Sequence, residues 1–158
     1  MKIVLAPDSF KGSLSAEGVC DALQTGLRRV LPDAIIVQRP MADGGEGTLD
    51  AVVTALAGSG GARRKQALVR NAAGQSAEAA YALIKHGIYE AAVIEVAQIV
   101  GIEDAHNMAV PVEDRSSYGV GELIRLLLAE GIRHFFVGLG GTCSNNGGAG
   151  LLAALGVK

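Results

Sequence analysis

Apolar residues along the first third of the chain follow two alternating spacings. A run of branched apolar residues at 2–6 predicts a short buried strand, and apolar positions then recur every three or four residues over 19–30, which predicts an amphipathic helix. Ser15 is well placed to cap this helix. Residues 34–38 repeat the strand pattern and 49–56 repeat the helix pattern. Buried strands that alternate with helices indicate an α/β fold with parallel strands.

The middle of the chain follows a different pattern. It predicts three strands joined by short connections, at 65–70, 76–84 and 91–96. Because a parallel crossover takes a dozen or more residues, such connections require antiparallel neighbours. The first pattern then returns with a helix over 118–130, a buried strand at 134–138 and a last apolar helix that ends near residue 155.

Together, these elements predict an α/β fold in which a Rossmann-like wound parallel sheet is interrupted by an antiparallel β-meander. We assign residues 1–61 and 115–158 to parts of a Rossmann-like domain. We expect residues 62–114, which contain the meander, to belong to a second domain. The chain stops at 156–158, where a helix would normally lead into another strand, so we expect the fold to be incomplete.

Charge and hydropathy exclude several function classes. Lys+Arg 14 against Asp+Glu 16 gives a net charge of −2, so no basic field predicts binding to nucleic acid or to an anionic membrane. The longest apolar stretch, 91–102, contains Glu95 and is shorter than the about 18 residues that a membrane span needs. The two cysteines build no disulfide framework, and the N-terminal apolar run is too short for a secretory signal. We therefore expect a cytoplasmic protein.

Glycine supplies 22 of the 158 residues, about twice the usual frequency of roughly 7%. Many of these glycines fall within 44–47, 58–61 and 138–150. The first and last clusters follow predicted strands and lead into helices, whose unpaired N-terminal amides attract anions. Ligands of open α/β sheets bind beyond the carboxyl ends of the strands. We expect these two loops and the loop after the first strand to lie at one sheet edge, and the cluster at 58–61 to be an ordinary turn.

The three loops carry candidate chemistry for phosphate. In the first, Asp8 could orient a hydroxyl and Lys11 could neutralise phosphate charge, with Ser9 between them. In the second, Asp43 and Glu46 place two carboxylates beside a helix start, where helix capping alone would also explain either one. A phosphoryl-transfer site needs such an acid to hold Mg²⁺ or to take a proton. The third loop adds backbone amides, hydroxyls and side-chain amides at Gly140, Gly141, Thr142, Ser144 and Asn145.

Other motifs give weaker indications of function. The third loop matches neither a Walker A loop nor the dinucleotide fingerprint, because no Gly-Lys-Ser/Thr follows and Cys143 takes the place of the third glycine. Cys143 could act as a nucleophile only if folding brought a basic partner to it. A flavodoxin-like binding domain is disfavoured, since three Tyr and three Phe leave few rings to stack on a flavin.

Four segments, in order along the chain, resemble the type I family of bacterial glycerate kinases: 1–15, 42–48, 118–124 and 138–150. The resemblance implies phosphorylation of glycerate by ATP with Mg²⁺, giving phosphoglycerate, and 2-phosphoglycerate in many members. It also implies two α/β domains with the active site between them. The match runs from residue 1 to the last residue but covers less than half of a typical member. We therefore expect the rest of a kinase chain to be needed for a complete fold, and a homo-oligomer is one expected assembly.

The resemblance carries over to individual positions. Asp8, Lys11 and Asp43 are the expected catalytic residues, and Asp43 is also the expected Mg²⁺ ligand. The expected substrate- and phosphate-binding residues are Ser9, Gly44, Gly45, Glu46, Thr48, Gly140, Gly141, Thr142, Ser144 and Asn145. The chain departs from the family at Asn146, where Asp is usual. The alternative hypothesis is accordingly a truncated or degenerate kinase that at most binds a phosphate-bearing ligand without catalysis.

Overall fold

The computed structural model describes residues 1–157, except for the side chain of Ser59. These residues form six strands, β1 (Lys2–Leu5), β2 (Ile35–Gln38), β3 (Ala62–Arg70), β4 (Ser76–His86), β5 (Tyr89–Glu95) and β6 (His134–Gly138). They also form six α-helices, α1 (Ala16–Val30), α2 (Thr48–Leu56), α3 (Ala97–Val100), α4 (Ala105–Met108), α5 (Tyr118–Ala129) and α6 (Ala149–Ala154). Lys158, the last residue of the predicted segment 115–158, lies outside the described residues.

The first helix and the strands beside it confirm the first predicted pattern. β1 and β2 pair in parallel. The amide of Gly18 donates a hydrogen bond to the Oγ of Ser15 at 3.1 Å, which caps α1 at the predicted residue. α1 packs against the two strands and buries Cys20, whose Sγ lies 3.8 Å from the carbonyl oxygen of Leu5. None of the helices within residues 1–157 has the length and apolar character of a membrane span.

The second sheet has four strands in the order β3–β4–β5–β6. β3, β4 and β5 form the predicted antiparallel meander, and β6 pairs in parallel with β5 after a long crossover that contains α5. The expectation that all three loops follow strands of one sheet is wrong within residues 1–157, because β1 and β2 form a separate sheet while β6 extends the meander. The four-stranded sheet combines β3, β4 and β5 from the predicted second domain, residues 62–114, with β6 from the predicted Rossmann-like domain. The division of the chain into two domains stays a prediction.

Both faces of the four-stranded sheet are covered, which explains the continuous apolar runs of β4 and β5. Tyr81 and Leu83 of β4 belong to the cluster on one face, together with the fully buried Leu123 and Leu127 of α5. Alternate residues of the same strands pack on the other face against Leu49 of α2. The strand period of two residues therefore divides the core between α5 and α2.

Strands β1, β2 and β6 are less buried than their apolar sequences predict. Val4, Ile35 and Phe136 are 56%, 64% and 46% exposed. The prediction of buried strands is wrong at these three positions. In β1 and β2, α1 packs on one side and the side chains of Val4 and Ile35 are exposed. In β6, the edge strand of its sheet, Phe135 packs against the core and the next residue, Phe136, is exposed.

Candidate active site

Two adjoining cavities, of about 400 and about 250 Å³, lie where the loops after β1 and β2 meet the segment that follows β5. We refer to them together as the cleft. Six residues border both cavities: Asp8, Ser9, Lys11, Glu46, Gln98 and Glu103. Asp43, Gly45 and Gly141 border the smaller one. The structure therefore brings the three expected catalytic residues, Asp8, Lys11 and Asp43, to one place.

The loop after β1 is a tight turn that carries Lys11 next to the cleft. The amide of Phe10 donates to the carbonyl oxygen of Leu14 at 2.9 Å, and the amide of Leu14 donates to that of Phe10 at 3.1 Å. The amide of Met41 donates to the carbonyl oxygen of Pro7 at 2.9 Å. This last bond ties the first loop to the second, so the two motifs keep a fixed relation at the cleft.

The second and third glycine-rich loops pack backbone against backbone. The amide of Gly140 donates to the carbonyl oxygen of Gly44 at 2.9 Å. A Cβ atom on Gly138 would lie 2.6 Å from the oxygen of Gly44, and a Cβ atom on Gly140 would lie 2.6 Å from the Cα of Gly45. Glycine at positions 138 and 140 is thus required by the contact between the loops, whatever ligand the loops bind.

The segment after β5 holds the third loop in place. The amide of Ile102 donates to the carbonyl oxygen of Gly141, and the amide of Cys143 donates to that of Val100, both at 2.9 Å. Six predicted binding residues, all of them described, border neither cavity: Gly44, Thr48, Gly140, Thr142, Ser144 and Asn145. Gly141 is therefore the predicted residue of this loop that reaches the cleft.

The second loop leads into α2 without a local side-chain cap, because the N-cap residue of α2 is Gly47. The amide of Gly45 donates to Asp43 Oδ1 at 3.0 Å, and this bond shapes the loop just before the helix. In the first turn of α2 the Oγ1 atom of Thr48 is buried and has no hydrogen-bond partner among the described residues, which is rare in folded proteins. The N-cap residue of α2 therefore supplies no side-chain acceptor to the first amides of the helix.

Glu95 is a cleft residue that the sequence patterns do not single out. It ends β5, is fully buried, accepts the amide of Leu49 at 2.8 Å and the Nε2 of Gln98 at 3.1 Å, and borders the smaller cavity. The sequence patterns also do not single out Glu103, which borders both cavities but lies in a stretch without a clear pattern. The one feature of the sequence that could have indicated Glu95 is that an acidic residue stands inside the apolar run 91–102. Only the parallel pairing of β5 with β6 shows that this end of β5 lies beside the third loop.

Carboxyl groups dominate the cleft. Among the described side chains that border the two cavities, Lys11 is the one cation. A hydrogen bond with Glu103 raises the pKa of Glu46, with smaller contributions from burial and from the charges of Glu103 and Glu95, while the charge of Lys11 lowers it. Two carboxyl groups this close favour holding a proton between them.

Replacing Glu46 by glutamine should stabilise the protein at neutral pH. A carboxyl whose pKa is raised by folding contributes full stability below its ordinary value of 4.5 and loses that contribution as the pH rises through the raised pKa. Glu46→Gln removes this loss, so we expect a gain of less than about 1 kcal/mol at pH 7, because the pair is exposed to solvent. The gain should disappear below pH 4.5.

Thermal unfolding at several pH values checks this expectation. Glu78→Gln on the exposed part of β4 is the matched control, because it makes the same substitution away from both cavities, and it should leave the unfolding temperature at pH 7 unchanged. A Glu46→Gln protein that unfolds at a lower temperature than the wild type at pH 7 would contradict the paired-carboxyl geometry.

The surroundings of Asn146 and Cys143, two further residues of the third loop, favour structural rather than catalytic roles. Asn146 Oδ1 accepts the hydroxyl of Ser117 at 3.0 Å and the amide of Gly148 at 3.2 Å, so it joins the starts of α5 and α6. Burial raises the pKa of the Cys143 thiol, although the nearby charge of Arg115 lowers it. A raised pKa disfavours the thiolate that a nucleophile requires.

The donor set of the cleft fits Mg²⁺ that arrives with a nucleotide. Within the described residues, no three or more histidine, cysteine, aspartate or glutamate side chains are grouped so as to hold a metal ion. Mg²⁺ in kinase sites is held by one or two carboxylates together with substrate phosphates and water. Asp43, at the border of the smaller cavity, could supply such a carboxylate.

The chain is similar to known proteins over its whole length. The sequence model of the Glycerate kinase family matches residues 3–158. Glycerate kinase of Haemophilus influenzae is 42% identical and glycerate 2-kinase of Escherichia coli K12 is 41% identical, each over 100% of this chain and 40% of the relative. A crystal structure attributed to glycerate kinase 2 of Salmonella typhimurium LT2 has a TM-score of 0.74 and 42% identity, over 99% of this chain and 40% of that one. The chain spans about 40% of the length of the relatives that it matches, and it belongs to the glycerate kinase family.

Proposed function

We propose that the protein carrying this chain transfers the γ-phosphoryl group of ATP to a hydroxyl of glycerate and forms phosphoglycerate. The observation that carries the proposal is the meeting of Asp8, Lys11 and Asp43 at one cleft in a chain of this family. The name of the Escherichia coli relative favours the 2-hydroxyl. Because the chain spans about 40% of its relatives' length, the activity is proposed for the whole protein.

Phosphoryl transfer needs positive charge beside the phosphates and a group that takes the proton of the attacking hydroxyl. We assign the first role to Lys11, the one cation among the described residues that border the cleft. Asp8 would orient the hydroxyl, and Asp43 would accept its proton or serve as a ligand of Mg²⁺. When bound, Mg²⁺ would supply further neutralisation of the phosphate charge.

The remaining expected residues divide into two groups. Ser9, Gly45, Glu46 and Gly141 border the cleft and are proposed to contact glycerate or phosphate. Another six lie outside the two cavities and are proposed as binding residues only in the whole protein: Gly44, Thr48, Gly140, Thr142, Ser144 and Asn145.

The proposal also specifies partners. The small-molecule partners are ATP and glycerate, with Mg²⁺ as the metal, and no nucleic acid or membrane takes part. The remainder of the kinase chain would complete the fold. A cytoplasmic location and a homo-oligomeric assembly stay predictions.

A coupled assay of ADP release tests the function. The whole protein that carries this chain should release ADP from Mg-ATP at a rate that depends on D-glycerate. An absence of turnover in the whole protein, under conditions in which the Haemophilus influenzae relative is active, would contradict the proposal.

The second candidate is a non-catalytic protein that binds a phosphate-bearing ligand. Asn146 favours it, because an amide carries no charge and accepts no proton where the family usually has Asp. The structure gives Asn146 Oδ1 two hydrogen-bond donors, and an aspartate oxygen could accept the same two. The kinase proposal therefore attributes only a structural role to this position.

Asn146→Asp should leave the turnover of the whole protein unchanged within about twofold. The expected result follows because the side chain at 146 accepts from Ser117 and Gly148 and borders neither cavity. Asn146→Ala removes the acceptor and should destabilise the protein by about 1 kcal/mol. An increase in turnover of tenfold or more in Asn146→Asp would instead assign the lost carboxylate to catalysis and favour the degenerate kinase.

A further inference from the structure

Glu95 is a fully buried acidic residue at the end of the apolar strand β5, where that strand reaches the smaller cavity. Its neighbours in the sequence, from 91 to 100, are mostly buried apolar residues. A carboxylate is expensive to bury unless hydrogen bonds satisfy its oxygens. Both oxygens of Glu95 have a donor, since Oε2 accepts from the backbone of Leu49 and Oε1 accepts from the side chain of Gln98.

The bond to Leu49 lies at the start of α2. The first four amides of a helix have no partner within the helix, and the N-terminus carries a partial positive charge. Gly47 at the N-cap has no side chain to satisfy them. Glu95, 46 residues further along the chain, supplies an acceptor at 2.8 Å. A strand of the four-stranded sheet thus provides the cap that the sequence before α2 lacks.

The start of α2 is also the end of the second loop. Asp43 and Glu46 lie within a few residues of the capped amide and border the smaller cavity together with Glu95. Movement of the first turn of α2 would therefore move both carboxylates relative to Lys11. The contact of Glu95 with the helix start links the core to the geometry of the cleft.

We propose that Glu95 is a positioning residue: by capping α2 from the sheet it holds the 43–47 loop at the distance from Lys11 that phosphoryl transfer requires. The inference rests on the proposed function and adds to it a residue that contributes through the loop rather than through substrate. It predicts that loss of the Glu95 carboxyl group impairs the chemical step more than binding, because a misplaced group lowers kcat even when ligands still bind.

Glu95→Gln in the whole protein tests the inference with two measurements. Hydrogen–deuterium exchange of residues 44–49 should become about fivefold faster, as expected from a weakened cap. The kcat for glycerate phosphorylation should fall about tenfold or more, with the KM values for ATP and glycerate changed less than about threefold. The matched control is Glu122→Gln, because Glu122 also accepts a backbone amide, that of Arg70 at 2.9 Å, but borders neither cavity. We expect the control to change neither measurement.

The outcomes separate this inference from the proposed function. Unchanged exchange at 44–49 would overturn it, and so would faster exchange with an unchanged kcat, which would make Glu95 a structural cap only. An inactive wild type would contradict the proposed function, while exchange in Glu95→Gln would still decide whether Glu95 holds the loop. Should Glu95→Gln fail to fold, Gln98→Ala removes the bond at 3.1 Å and should speed exchange at 44–49 about threefold. No increase in that variant would also overturn the inference.

Discussion

Gly140→Ala should destabilise the protein by about 3 kcal/mol and separate the second loop from the third. The added Cβ would lie 2.6 Å from both the amide nitrogen and the Cα of Gly45, and 3.1 Å from the carbonyl carbon of Gly44. All three atoms belong to the backbone, so no flexible side chain can move away. Gly140 does not have a positive φ, and the effect is therefore steric rather than conformational. Chemical denaturation of the whole protein measures the change.

Gly26→Ala is the matched control for this substitution. Gly26 lies inside α1 without a positive φ. Apart from its chain neighbours and the backbone of its own helix, no atom of the described residues would lie within 4 Å of an added Cβ. Alanine favours a helix over glycine, so this variant should be more stable than the wild type by about 0.5–1 kcal/mol. If Gly140→Ala were as stable as Gly26→Ala, the two loops could not be packed as described.

Lys11→Met should lower kcat/KM for ATP about a hundredfold, as loss of one electrostatic contact to a transferring group typically does. Lys11 is the one cation among the described residues that border the cleft, whereas Asp8, Asp43, Glu46 and Glu103 are acidic. Without Lys11, the phosphates of ATP would approach carboxylates with no positive side chain from this part of the chain. Steady-state kinetics of the whole protein with Mg-ATP and D-glycerate measures the loss.

Two control variants separate charge from side-chain packing. Lys11→Arg keeps the positive charge and should retain more activity than Lys11→Met. Lys85→Met makes the same chemical change on the exposed end of β4, away from both cavities, and should stay within about twofold of the wild type. Equal losses of kcat/KM in Lys11→Met and Lys85→Met would contradict the proposed contact between Lys11 and the phosphates of ATP.

The parts of the fold that depend on local patterns could be predicted from the sequence. Ser15 caps α1 as predicted, because an N-cap acts on amides two or three residues away. The antiparallel pairing of β3, β4 and β5 follows from connections too short for any other arrangement. The family resemblance, carried by four separate motifs, is confirmed over residues 3–158.

The parts that depend on distant contacts could not be predicted. The short helices α3 and α4, four residues each, lack the length for a periodic apolar pattern. The role of Glu95 depends on an amide 46 residues away. Gly138 and Gly140 lie in a glycine-rich loop that is typical of phosphate binding. The space next to both of them is nevertheless occupied by the backbone of Gly44 and Gly45. A glycine-rich sequence alone does not distinguish contact with a ligand from contact with another loop.

Transfer of phosphate to glycerate, observed directly by ³¹P nuclear magnetic resonance, tests the central claim most directly. The whole protein is incubated with Mg-ATP and D-glycerate, and the product is compared with authentic phosphoglycerates. We expect the γ-phosphate signal to be replaced by the signal of a phosphomonoester of glycerate, and the appearance of that signal to be much slower in Lys11→Met. Signals of ADP and inorganic phosphate without the signal of a glycerate phosphomonoester, or an unchanged spectrum, would contradict the assignment of the cleft to glycerate phosphorylation.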